Sequence, residues 1–163
     1  MYLPKINEFP KFSLKRLLST CFGDNVAVEQ KICILIDLPD LSLMKEHKFL
    51  ELSDFSVQKY AHNIFLKELI NGVSQSLSYS GNGFFAFKTT GGSNLDPEDA
   101  ATNFDGEVLS LNKDIYPEFD IILAITDYSL TAPLTASAKI HGFRGATLHG
   151  VNEIILNSGL SVD

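Results

Sequence analysis

The run KICILIDL, residues 31–38, decides the fold. It is β-branched and carries apolar residues on both of its alternating faces, so a strand formed here must be covered on both sides. That is the pattern of a central strand in a parallel sheet lying between layers of helices. Pro39 ends it, since proline cannot donate to a strand ladder.

Upstream, SLKRLLSTCF (residues 13–22) sets Leu14, Leu17, Leu18 and Cys21 at i, i+3, i+4 and i+7, with Gly23 as a stop; this predicts an amphipathic helix. Downstream, Ser53 or Asp54 can cap a helix predicted over residues 56–77, where Val57, Tyr60, Ala61, Ile64, Ile70 and Val73 follow a helical period. Its other face carries Gln58, Lys59, His62, Lys67 and Glu68. A GNG turn leads into FFAFKTT, a second strand over residues 84–90. The polar stretch over residues 91–120 is long enough to need a short helix or an extra strand. A third strand is predicted over residues 121–126 and a helix over 132–141, with Pro133 near its start and Gly142 past its end. GATLHG, residues 145–150, reads as a fourth short strand, and a further helix begins at Asn152. Strands alternating with helices predict an α/β fold: an open, mostly parallel sheet with helices on both faces, three-layered and Rossmann-like.

Composition sets the bounds. With 163 residues, 45% of them hydrophobic, and a mean hydropathy of +0.08, the chain can fill one core and is too short for two full domains. Residues 1–163 are therefore expected to form a single domain. The net charge of −7, without a basic stripe, argues against a nucleic-acid partner. Cys21 and Cys33 stand apart with no metal or redox spacing, so buried, reduced thiols are expected. The start of the chain has Pro4, Pro10 and charges where a signal peptide needs an apolar run. No stretch approaches the roughly 18 consecutive apolar residues of a membrane span. A soluble cytoplasmic protein without a membrane partner is expected.

In an open parallel sheet, ligands bind outside the carboxyl ends of the strands. The predicted strands here end in Asp37, in Thr89-Thr90-Gly91-Gly92, in Thr126-Asp127 and in His149. The candidate ligand-binding residues are accordingly Asp37, Thr90, Gly91, Thr126, Asp127, Ser129 and His149. TTGGSN matches neither common nucleotide-binding glycine pattern and reads as a turn. His47, His62, His141 and His149 show no metal-ligand spacing, and His62 and His141 are expected to be solvated. No G-x-S-x-G elbow exists, and nothing supports a triad of Ser129, Asp127 and His149. No catalytic residue and no metal ligand is assigned. The Thr126 or Ser129 hydroxyl, together with the Asp127 carboxylate, is expected to cap the following helix.

The order of elements, and above all FDIILAITDYSLTAPLTASAKIHGFRGATLHGVNEIILNSGLSVD (residues 119–163), resembles the N-terminal domain of the thermophilic metallo-aminopeptidase family of the aminopeptidase T type. Thr126, Tyr128, Ser129, Leu130, Ala138, Gly142, Arg144, Ala146, Gly150 and Glu153 fall where that family has matching residues. Ala132 and Pro133 stand where the family tends to have His-Thr, and His149 stands where it has Pro. In that family the two-metal site lies in a C-terminal domain, so the resemblance implies no cofactor in this chain, and a divalent metal and a peptide substrate only through a further domain.

Three functions stay open at this level. The chain can be the N-terminal, non-catalytic α/β domain of a longer metallo-aminopeptidase-like protein, aiding subunit assembly or shaping a substrate cleft. It can be a free-standing small-molecule binder using its strand ends. It can also be an interaction domain that forms homo-oligomers.

Overall fold

In the computed structural model, the described residues are 13–14, 17–18, 31–70 and 83–150. Their strands are β1 (Ile32–Leu38), β2 (Gly83–Lys88), β3 (Ala100–Thr102), β4 (Val108–Ser110), β5 (Ile121–Thr126) and β6 (Arg144–His149). One sheet contains them all, in the order β4-β3-β2-β1-β5-β6. β1 is central, parallel to β2 on one side, with Ile34 opposite Phe84, and parallel to β5 on the other, with Ile34 opposite Leu123. β6 is parallel to β5. The polar stretch supplies the two remaining strands, which add an antiparallel edge: β3 pairs with β2, and β4 with β3.

Burial follows the pleat. All seven residues of β1 and all six of β5 are buried. Ile32, Ile34, Ile36 and Leu38 point into one core layer with Ile121, Leu123 and Ile125. Cys33 and Leu35 point into the other with Ile122 and Ala124. The first layer is closed by α1 (Ser56–Tyr60) through Val57 and by the turns that continue it, Ala61–Leu66, through Ala61 and Phe65. Leu14 and Leu18 join the same layer, and Leu17 N–H donates to Ser13 C=O in a helical bond. The second layer is closed by α2 (Thr131–His141) through Leu134, with Leu130 and Phe143 at its two ends. The three-layer α/β fold expected from the strand pattern is the fold the chain adopts.

Local readings differ at three points. The Ala61–Leu66 turns are wider than α-helical ones, so the buried residues Val57, Ala61, Phe65 and Leu69 recur every four positions and Ile70 is turned out to solvent. Neither Ser53 nor Asp54 caps α1: Phe55 stands at its N-cap at φ 68 with no side-chain cap bond, its side chain packed against the core. Residues 41–51 form tight helical turns broken by left-handed Glu46 and His47. The predicted helix from Asn152, Cys21, Gly23 and residues 71–77 lie outside the described residues.

α2 ends as its sequence requires. Gly142 takes φ +81, and its N–H donates to Ala138 C=O at 2.8 Å, a left-handed cap that glycine adopts without a Cβ penalty.

Candidate polar site at the carboxyl ends of the central strands

From β1 the chain passes to β2 on one side, then returns to β5 on the other. The carboxyl ends of β1 and β5 therefore flank a topological switch point, the place where open α/β sheets commonly take ligands. Asp37 and Asp127 meet there. Asp127 N–H donates to the Asp37 carboxylate, at 3.1 Å to Oδ1 and 3.3 Å to Oδ2. Gln58, from the first turn of α1, reaches between them: its Nε2 lies 2.8 Å from Asp37 Oδ1, 2.8 Å from Asp37 C=O and 2.9 Å from Asp127 Oδ2.

Asp37 and Gln58 are buried, 1% and 0% exposed, whereas Asp127 is exposed. Burial raises the Asp37 carboxyl above its ordinary range and the charge of Asp127 raises it further; the Asp127 N–H and the Gln58 amide pull the other way. Among the described residues neither carboxylate has a cationic partner; the salt bridge found there joins Lys31 to Glu118, at the opposite end of the sheet. Among the described residues two buried side-chain atoms lack any hydrogen-bond partner, Gln58 Oε1 and Thr89 Oγ1. Thr89 follows β2, and its N–H is held by Leu38 C=O at 3.0 Å.

Of the seven predicted residues, then, Asp37 and Asp127 come together directly. Thr126 is buried beside them, with its hydroxyl donating to Tyr128 C=O. Thr90 donates to Gly92 C=O within its own turn, where Gly91 takes φ +79. Ser129 Oγ accepts Thr131 N–H at 3.3 Å. His149 is exposed at the end of β6, opposite Thr126. The capping expectation is corrected for Asp127, whose carboxylate is taken by Gln58 and does not reach the amides of α2; of the two hydroxyls, that of Thr126 goes to Tyr128 C=O. Ser129 does cap, and it has a partner that sequence reasoning missed. Asn94, at φ 61, docks the TTGGSN loop on the start of α2: its N–H donates to Ser129 C=O at 2.8 Å and its Oδ1 accepts Ala132 N–H at 3.0 Å. Asn is the residue type that both tolerates left-handed backbone and caps helices. Asn94→Ala is expected to cost about 0.5–2 kcal/mol, the usual loss of a cap, read as a lower midpoint in urea. An unchanged midpoint would show that Asn94 caps nothing.

The histidines expected in solvent are partly covered. His62 meets Phe104, Phe84 and Phe49 edge-on at 5.9–6.3 Å, and His47 stacks on Phe104 at 3.9 Å. Burial holds the His47 imidazole below its ordinary value, and the neighbouring His62 adds to this. His141 lies half-buried against Tyr116, its Nε2 3.3 Å from Asn112 Oδ1. Among the described residues no three or more His, Cys, Asp or Glu side chains gather to hold a metal, and no helix is long and apolar enough to cross a membrane. A groove of about 430 Å³ between α2 and β6 is lined by Leu134, Ala138, Phe143 and Arg144 among others and contains none of the strand-end residues. Cys33 is buried and free, and burial pushes its thiol far up.

Compared with known proteins, the chain matches no family model, no curated protein and no solved structure significantly.

Proposed function

We propose that the chain is a non-catalytic α/β domain of a cytoplasmic, metallo-aminopeptidase-like protein, and that it shapes a substrate cleft with the polar residues at the carboxyl ends of β1 and β5. The observation that carries the reading is the Gln58 amide held between two carboxylates at the switch point, where open α/β sheets take their ligands. A buried carboxylate with no cationic partner costs stability unless something binds it. Four of the residues on which the family resemblance rests support the same reading, because they stand at the joints of one β-α-β unit. Thr126 closes β5, Leu130 leads into α2, Gly142 ends α2 and Arg144 opens β6. Peptide hydrolysis itself would fall to metal ligands on a further domain.

The test is titration of the isotope-labelled chain with a short peptide bearing a free amino terminus, followed by amide chemical shifts. Shifts are expected at residues 37–40, 58, 89–91 and 127–129, weakened in Asp127→Asn, without hydrolysis. Shifts confined to the α2–β6 groove would move the ligand site elsewhere, and turnover by the chain alone would overturn the non-catalytic reading.

A further inference from the structure

We propose that His47 and His62 form a pH-sensitive latch: with both imidazoles neutral it holds residues 41–51 against the hairpin of β3 and β4, and with both protonated it releases that segment. The latch goes beyond the cleft reading and does not depend on it.

The segment needs a hold. Residues 41–51 contain two consecutive left-handed residues that are not glycine, Glu46 at φ 58 and His47 at φ 57. Such backbone is unfavourable and persists only where its surroundings fix it. A column of rings does so here. His47 stacks on Phe104, between β3 and β4, with centroids 3.9 Å apart and planes 15° from parallel. Phe104 stacks in turn on Phe84 of β2, at 5.0 Å and 13°. His62, on the turns that continue α1, stands edge-on to the whole column, 5.5 Å from His47, 5.9 Å from Phe104 and 6.0 Å from Phe84. One ring cluster thus joins the segment, the hairpin and the helical layer, and two of its members titrate.

Charge decides whether the column closes. A single imidazolium is tolerated against aromatic rings, whose faces attract cations. Two imidazoliums in contact repel each other. The elements that meet here also carry Lys45, Glu46, Lys48 and Glu51 in the segment, Lys59, Lys67 and Glu68 on the helical side, Lys88 on β2, and Asp105 and Glu107 in the hairpin turn. Lys59 is held by Leu52 C=O, and Glu68 accepts Leu14 N–H. Of all these groups it is His62 whose charge acts on His47; burial comes first, and the two together hold the His47 imidazole below its ordinary value. A base lowered in this way contributes its full stability above the ordinary value of 6.5 and loses it as pH falls through the lowered one. Asp37 has the opposite sign, because its carboxyl is raised, so it does not produce a loss on acidification. The segment links β1, which carries Asp37, to α1, which carries Gln58, and its release therefore reaches the strand-end site along the chain.

Amide hydrogen exchange on the full chain, corrected for the intrinsic pH dependence, reads the latch. From about pH 8 to about pH 5.5, the range in which histidine titrates, protection at residues 43–50 and 102–107 is expected to fall about tenfold relative to β1 and β5, the effect of about one pKa unit between closed and open forms. His62→Phe keeps a ring and removes the charge, and it should hold its protection at the lower pH. His47→Asn accepts left-handed backbone but lacks the ring, and it should lose protection at both. An unchanged ratio, or an acid loss that persists in His62→Phe, overturns the latch. Should His62→Phe not fold, the imidazole signals of the native chain decide: protonation of the second histidine coinciding with loss of protection supports the latch, and two independent titrations with no change in protection overturn it.

Discussion

Ile34→Asp is expected to leave the chain unfolded, with neither a cooperative melting transition nor the far-ultraviolet spectrum of a mixed α/β protein. Ile34 is fully buried in the middle of β1, opposite Phe84 on one side and Leu123 on the other. Its side chain lies in the layer that contains Phe65, Met44 and Phe49. A carboxylate at this depth would have no donor within the layer and no route to water, because strands flank it and helical residues cover it. Burying it costs several kcal/mol, and the lost packing of the isoleucine adds about 2–5 kcal/mol, the range for large-to-small core changes. Together these approach the 5–15 kcal/mol that stabilises a typical domain. Ile34→Val keeps the shape and polarity of the site and should cost only about 0.5–1.5 kcal/mol, which separates the effect of charge from that of mutation as such. Cooperative, native-like melting of the I34D chain would mean that β1 is not the centre of the sheet.

The central strands were legible because both of their faces are apolar, a pattern that does not depend on knowing the neighbours. β1 and β5 each stop where a polar or imino residue stops them, Pro39 and Asp127. The antiparallel edge was not legible: β3 and β4 are three residues each, too short to carry a period, and β3 is held by its pairing to Phe87 and Ala86 of β2. Phe65 and Leu69 were left out of the expected core because the wider turns shift the buried stripe to every fourth residue. The same shift puts Ile70 outside. Of the site, Asp37 and Asp127 could be found from the rule that ligands bind at strand ends. Gln58 was assigned to the polar helix face, although it stands three residues before Ala61 and seven before Phe65, both buried. A glutamine inside an apolar stripe implies a buried polar partner, and that signal was present in the sequence.

Gln58→Leu is the second large effect. Leucine is close to glutamine in volume, so packing changes little while Asp37 loses the amide that donates to its carboxylate. Hydrogen bonds to charged groups contribute about 1.5–3 kcal/mol, and Asp127, being exposed, recovers its lost bond from water. The expected cost is therefore about 2–3 kcal/mol near neutral pH. The cause can be separated by Asp37→Asn. An asparagine Oδ1 can still accept the Asp127 N–H and the Gln58 amide, now without a buried charge. Removing the buried charge should stabilise the protein by about 0.5–2 kcal/mol, the usual size of a single stabilising change. The sign of the pH dependence follows from the raised Asp37 carboxyl. An acid whose folded pKa lies above its unfolded value binds its proton more tightly when folded. Its contribution to stability is full below the ordinary value of 3.8 and is lost as pH rises through the raised one. The advantage of Asp37→Asn should thus grow from acid toward neutral pH and then level off. In the Asp37→Asn background, Gln58→Leu should cost only about 0.5–1.5 kcal/mol, the range for a neutral hydrogen bond, and the difference between the two backgrounds measures the coupling. Equal costs in both backgrounds, with parallel pH profiles, would show that Gln58 supports the fold without managing the buried charge.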